Sequence, residues 1–109
     1  MRGLAIAAVV FLLAACGPAD RSAPGLYRAY CRRCHGAAGE GKARSLRLYP
    51  NLDLTAAEKV RQGDRPFLRQ RIAEGYGPMP GFARRLSPPE IESLVDLTLE
   101  LQRKKKRGQ

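Results

Sequence analysis

The chain has no tryptophan, one histidine and three cysteines among its 109 residues. A structural zinc site takes four ligands, usually two Cys-x-x-Cys-type pairs, and this inventory supplies one such pair and one histidine. Acidic residues are also scarce, 10 against 20 lysines and arginines, for a formal net charge of +10. No stretch alternates apolar and polar residues convincingly, so no strand is read, and the strand-first setting of a thioredoxin-like dithiol is missing. The apolar run from Leu4 to Ala15 falls short of the roughly 20 residues that a spanning helix needs. At this length there is room for one small domain at most.

The N-terminus holds Arg2, that apolar run, then small residues and a cysteine, the layout of a secretory signal; an uncleaved anchor is the alternative. Leu13-Ala14-Ala15-Cys16 resembles the lipobox of bacterial lipoproteins. That resemblance implies cleavage before Cys16, lipid on its thiol, and an exported protein held on the periplasmic side of the inner or outer membrane. The physics of anchoring suits it, because each buried CH₂ adds about 0.8 kcal/mol and several chains are attached. The expected organisation is a signal peptide at 1–15, lipidated Cys16 and a flexible tether at 16–24, a folded domain at 25–102 and a disordered basic tail at 103–109. Removing residues 1–15 deletes only Arg2, so the remainder stays strongly basic. Export takes nucleic acid away as a partner and leaves anionic headgroups or acidic protein surfaces.

Four helical stretches are predicted. Residues 25–33 place Leu26 and Tyr30 four apart on one face. A glycine-bearing segment from His35 to Asp53 reads as irregular loop. Thr55 and Glu58 spell a capping box for a short helix ending near Gly63, and Asp64 caps the next, which stops at Gly75. Ser87, Pro88 and Glu90 open the last helix, whose apolar face carries Ile91, Leu94, Val95, Thr98 and Leu101. A core this small usually needs a disulfide, metal or cofactor beside it.

The chemistry sits in "YCRRCHG", residues 30–36. Cys31-x-x-Cys34-His35 is the attachment signature of c-type haem: two thiols three apart form thioethers to one porphyrin edge, and the adjacent imidazole becomes an axial ligand of the iron. A plain Cys31–Cys34 disulfide is the structural alternative. Met79, in the Gly- and Pro-rich "GYGPMPGF", is the only methionine left once Met1 is lost, and it reads as the second axial ligand or as a packed loop residue.

With Tyr27 four before Cys31, Gly36 after His35, Pro50 in "YPNLD", Met79-Pro80 and "LSPPEIESLVDL", residues 25–102 resemble a small class I cytochrome c. The resemblance implies an all-α cytochrome c fold, about four short helices with long loops around one covalent haem c. It implies a Pro50 carbonyl that accepts a hydrogen bond from His35, and a monomeric electron carrier, not an enzyme. It also places Lys42, Arg44, Arg47, Arg84 and Arg85 near the haem edge, where they would steer acidic redox partners. Arg32 and Arg33 are expected to face solvent. Where the family often has a glycine and an aromatic packed together, this chain has Ala23 and Leu97, so the terminal helices are expected to cross less closely. Two other functions stay open: a haem subunit of a larger respiratory or oxidoreductase complex, and a haem enzyme or sensor with an open distal site.

Overall fold

The computed structural model describes residues 17–108, and among these it is all-helical. In chain order the elements are α1 (Ala23–Tyr30), α2 (Arg32–His35), α3 (Ala43–Leu46), a 3₁₀ turn (Pro50–Leu52), α4 (Glu58–Arg61), α5 (Arg65–Glu74) and α6 (Pro88–Arg107). The lone β-bridge among the described residues joins Tyr76 to Met79. Cys16 lies outside the described residues.

The long helix α6 organises the rest, and its start follows from three side chains. The Ser87 hydroxyl accepts from the Glu90 N–H, the Glu90 carboxylate accepts from the Ser87 N–H, and Pro88 has no N–H that would need an acceptor in the first turn. Residues spaced three and four apart then turn one stripe inward: Ile91, Leu94, Val95 and Thr98 are all buried. The stripe serves two clusters. Ile91 and Leu94 pack with Leu26, Tyr27, Phe82 and Leu86, which joins α6 to α1 and to the segment after α5. Val95 packs with Val60 and Leu68 of α4 and α5. Each such side chain withdrawn from water contributes about 1.5–3 kcal/mol. Thr98 causes no polar deficit, because its hydroxyl donates to the Leu94 carbonyl at 2.8 Å. Ala23 and Leu97, which stand where the family often has a glycine and an aromatic, both pack against the first cluster.

Four local expectations differ from the structure. The segment between His35 and Asp53 is not wholly irregular, since it contains α3 and the 3₁₀ turn. Thr55 does not cap α4: its N–H and hydroxyl both bond the Asp53 carboxylate, at 2.9 and 2.5 Å, and Ala57 takes the cap position without a side-chain bond. Asp53 instead holds Thr55 in a local turn, and the helix starts behind Ala57. The proposed tether is partly folded. Ser22 caps α1, Asp20 pairs with Arg28, and Arg21 reaches both Glu90 carboxylate oxygens and the Arg85 carbonyl. The basic tail is likewise ordered, because α6 runs on to Arg107. Cations in a last helical turn complement the carbonyl end of the dipole, and Glu100 pairs with Arg103 and Arg107 along it.

Candidate functional site

The Cys-x-x-Cys-His motif is itself a helical turn. Cys31 ends α1 and begins α2 at φ −114°, ψ −41°, a kink that keeps helical bonding on both sides. Its N–H donates to the Tyr27 carbonyl, and its own carbonyl accepts from Cys34 and His35 at 3.2 and 2.9 Å. Residues i, i+3 and i+4 of such a turn are neighbours on its surface, so both thiols and the imidazole lie close together. Cys31 is half-buried against the α1–α6 core, Cys34 is exposed, and both thiols are free. Burial, with the neighbouring Cys34 as a lesser cause, pushes the Cys31 thiol up to about 11.

His35 is oriented by a backbone carbonyl. Its Nδ1 stands 2.9 Å from the Leu52 oxygen. A carbonyl can only accept, so Nδ1 carries the proton and Nε2 is left with its lone pair for a metal. The acceptor is Leu52, not Pro50 as the resemblance implies. The exposed Pro50 instead opens the 3₁₀ turn, and its carbonyl accepts the Asp53 N–H at 3.2 Å, closing that turn. The turn of the chain thereby brings the carbonyl two residues later to the ring.

The loop between motif and turn is sewn to both. Gly41 N–H donates to the His35 carbonyl at 2.7 Å, Lys42 N–H to Cys34, and Leu54 N–H to Gly39 at 2.7 Å. Gly41 is required there. Its φ is +78°, and a Cβ would come within 2.6 Å of Leu46 Cδ2 and within 3.1 Å of backbone atoms of Leu52 and Asp53. Behind the motif, the buried Tyr27 hydroxyl donates to the Gly36 carbonyl at 2.6 Å, and burial pushes its pKa well above the usual tyrosine range.

Met79 arrives from elsewhere in the chain. Helix α5, capped by Asp64, stops at Gly75, and the next four residues close a tight turn in which Tyr76 and Met79 exchange N–H···O bonds of 3.0 Å each. Phe82 and Ala83 then donate back to the Ile72 and Ala73 carbonyls. This return is close enough that a Cβ on Gly81 would stand 2.7 Å from the Ala73 oxygen. Phe82 is buried and its ring packs on Tyr30, with centroids 5.3 Å apart. The Met79 loop and the motif thus attach to one core cluster, which contains Phe82 and against which Cys31 packs. The half-buried Met79 makes no hydrogen bond to His35 among the described residues.

Two thiols three apart, an imidazole with Nε2 free and a thioether on a separate loop form a donor set suited to a covalently held haem iron. Among the described residues no group of three or more His, Cys, Asp or Glu side chains is placed to hold a metal ion by itself. Sequence reasoning missed Leu52 and Gly41. A glycine-bearing loop between the motif and a proline turn was the available signal for Gly41, and nothing in side-chain chemistry could have singled out a leucine carbonyl. Compared with known proteins, the chain matches the family model described as "Cytochrome C oxidase, cbb3-type, subunit III" over residues 18–97. No curated protein matches it.

Proposed function

We propose a one-electron carrier with a single haem, from the premise that the chain belongs to the family of cytochrome c oxidase, cbb3-type, subunit III. Membership makes this a c-type cytochrome domain, with haem-based electron transfer as its broad role. In the finer reading, Cys31 and Cys34 would hold the haem by thioether bonds, and His35 Nε2 and the Met79 thioether would supply the two ligands to its iron. The observation that carries it is His35 held by Leu52 at 2.9 Å, inside a helical turn that also presents both free thiols. Bound there, the haem supplies reversible one-electron exchange between two iron oxidation states. A thioether from Met79 would favour the reduced iron, and two protein ligands would leave no place for a substrate, which is the reading of a carrier and not of an enzyme or gas sensor.

The charges support an acidic redox partner. Arg21, Arg28, Lys59, Arg65 and Arg69 are ion-paired. Arg32, Arg33, Lys42, Arg44 and Arg47, all within or shortly after it, make no ion pair among the described residues; neither do Arg84 and Arg85 beyond the Met79 loop. Unpaired cations of one sign beside an electron-transfer site steer partners and leave a salt-dependent association rate. The lipid anchor at Cys16 belongs to the same proposal and rests on the Leu-Ala-Ala-Cys sequence.

The test is haem staining of the exported protein after denaturing electrophoresis, where a haem-free band ends the reading. A methionine–iron charge-transfer band in the ferric protein, with no carbon monoxide binding to the ferrous form, supports Met79; ready binding supports an open distal site. Cys16→Ala should release the protein to the soluble fraction. The family's description as an oxidase subunit favours a second reading, a haem subunit docked in a larger complex, and gel filtration of the detergent-solubilised native protein separates it from a free carrier.

A further inference from the structure

Arg71 lies between two aromatic rings. Its guanidinium carbon is 4.8 Å from the Phe67 ring centroid and 4.2 Å from that of Tyr76. Phe67 and Arg71 are one turn apart on α5, whereas Tyr76 lies beyond the helix end, in the turn that bears Met79. Arg71 makes no ion pair among the described residues, and Glu74, the nearest carboxylate in sequence, is bonded to Gln70. Tyr76 is 74 % exposed, so burial does not hold its ring. The stack on Arg71 is the side-chain contact that does.

That ring is a handle on the proposed ligand. Tyr76 and Met79 exchange both main-chain hydrogen bonds, so the two residues move together. The Arg71 carbonyl also accepts the Gly75 N–H at 2.9 Å, where the chain leaves the helix. One residue thus controls the exit of the chain from α5 through its backbone and the orientation of the next turn through its side chain. A planar guanidinium suits this, since it stacks on ring faces in a way that an ammonium does not.

We propose that Arg71, clamped between Phe67 and Tyr76, is a positioning residue that holds the 76–79 turn and with it the Met79 sulfur. The inference rests on the reading of Met79 as an iron ligand. The test uses the haem-loaded, exported protein. Arg71→Ala should keep covalent haem and helical circular dichroism, yet lose most of the ferric methionine–iron band, lower the potential and gain carbon monoxide binding. Tyr76→Ala, at an exposed site, should do the same. The double variant should lose little more than either single one, because the two side chains act through one contact. Tyr76→Phe keeps a ring and should keep the band, and Arg71→Lys should fall between. An intact band in Arg71→Ala, or additive losses in the double variant, overturns the proposal. Amide exchange separates its failure from that of the ligand reading. If Met79→Ala leaves the spectrum of the parent protein unchanged, Met79 is not the ligand. A faster-exchanging Met79 N–H in Arg71→Ala would then still show that Arg71 holds the turn, and an unchanged rate would overturn that as well.

Discussion

His35 and Met79, the two proposed iron ligands, stand on scaffolds of opposite kinds. His35 sits in a helical turn continuous with α1, and its ring is fixed by a carbonyl 17 residues away. Met79 sits in a tight turn off the end of α5, held by its own hydrogen bonds, by the Phe82 return and by an exposed stacked tyrosine. The first combines helical bonding within its own turn with one contact 17 residues away; the second depends on contacts within ten residues and on the docking of Phe82 in the core. Segments held by few buried contacts open at lower free-energy cost than segments held by many. The methionine side should therefore loosen first and the histidine side last.

The largest effect tests the histidine side alone. Replacing Cys31 and Cys34 together by alanine should abolish haem staining altogether, since no other described thiol can form the thioether bonds. Next comes a change that should erase the distinction. Leu26 is wholly buried in the cluster that contains Phe82 and against which Cys31 packs, so Leu26→Ala should cost about 2–5 kcal/mol in denaturant unfolding and weaken both sides together. A pair of glycine variants should then separate the sides again. Gly41→Ala forces a side chain into a left-handed backbone against the Leu52–Asp53 segment, a strain of about 1–3 kcal/mol. It should disturb the hydrogen bond to His35, visible as a changed imidazole proton signal. Gly81→Ala meets the backbone of Ala73 and Glu74 at 2.7 Å, and crowding of this kind costs about 1–3 kcal/mol. Its signature should be a lost methionine–iron band with haem content unchanged.

Acid should discriminate least. Glu90 is held well below its ordinary 4.5, at about 2, by its hydrogen bonds to Arg21 and then to the Ser87 N–H. A carboxyl whose folded value is depressed contributes stability that is complete above the ordinary value and is lost as pH falls through the folded one. This small contribution, tying Arg21 to the start of α6, should therefore fade between about pH 4.5 and pH 2. Arg21→Ala should remove that part of the pH dependence, measured as the change of denaturation midpoint with pH. Neither ligand's own hydrogen bonds are involved, so a spectral change confined to one side would contradict the assignment.

Legibility differed along the chain for identifiable reasons. Ser87 and Glu90, and Asp64 before α5, act on donors within three residues of themselves, so their roles are written in adjacent letters. Thr55 and Glu58 spelled the same signal, but Asp53 holds Thr55 in a local turn, an outcome decided by the actual path of the backbone. The final basic run looked like a solvated tail because like charges repel. Glu100, one to two turns upstream, and the dipole of an already long helix keep it helical to Arg107. Asp20 to Ser22 resembled linker because their partners, Arg28 and Glu90 among them, lie up to 69 residues away.

By itself the sequence determined the proposed donor set and its spacing: thiols at 31 and 34, an imidazole at 35, a methionine at 79, and a capped, amphipathic last helix. These are covalent facts and local hydrogen-bonding rules, which operate over one helical turn. Tertiary structure alone decided that the Leu52 carbonyl, and not that of Pro50, fixes the histidine. It also decided that Arg71 lies under Tyr76 and that the segment before α1 is docked on α6. The first and last of these depend on the path of the backbone between residues far apart in sequence, and the second on how the chain leaves α5, none of which side-chain chemistry encodes one position at a time.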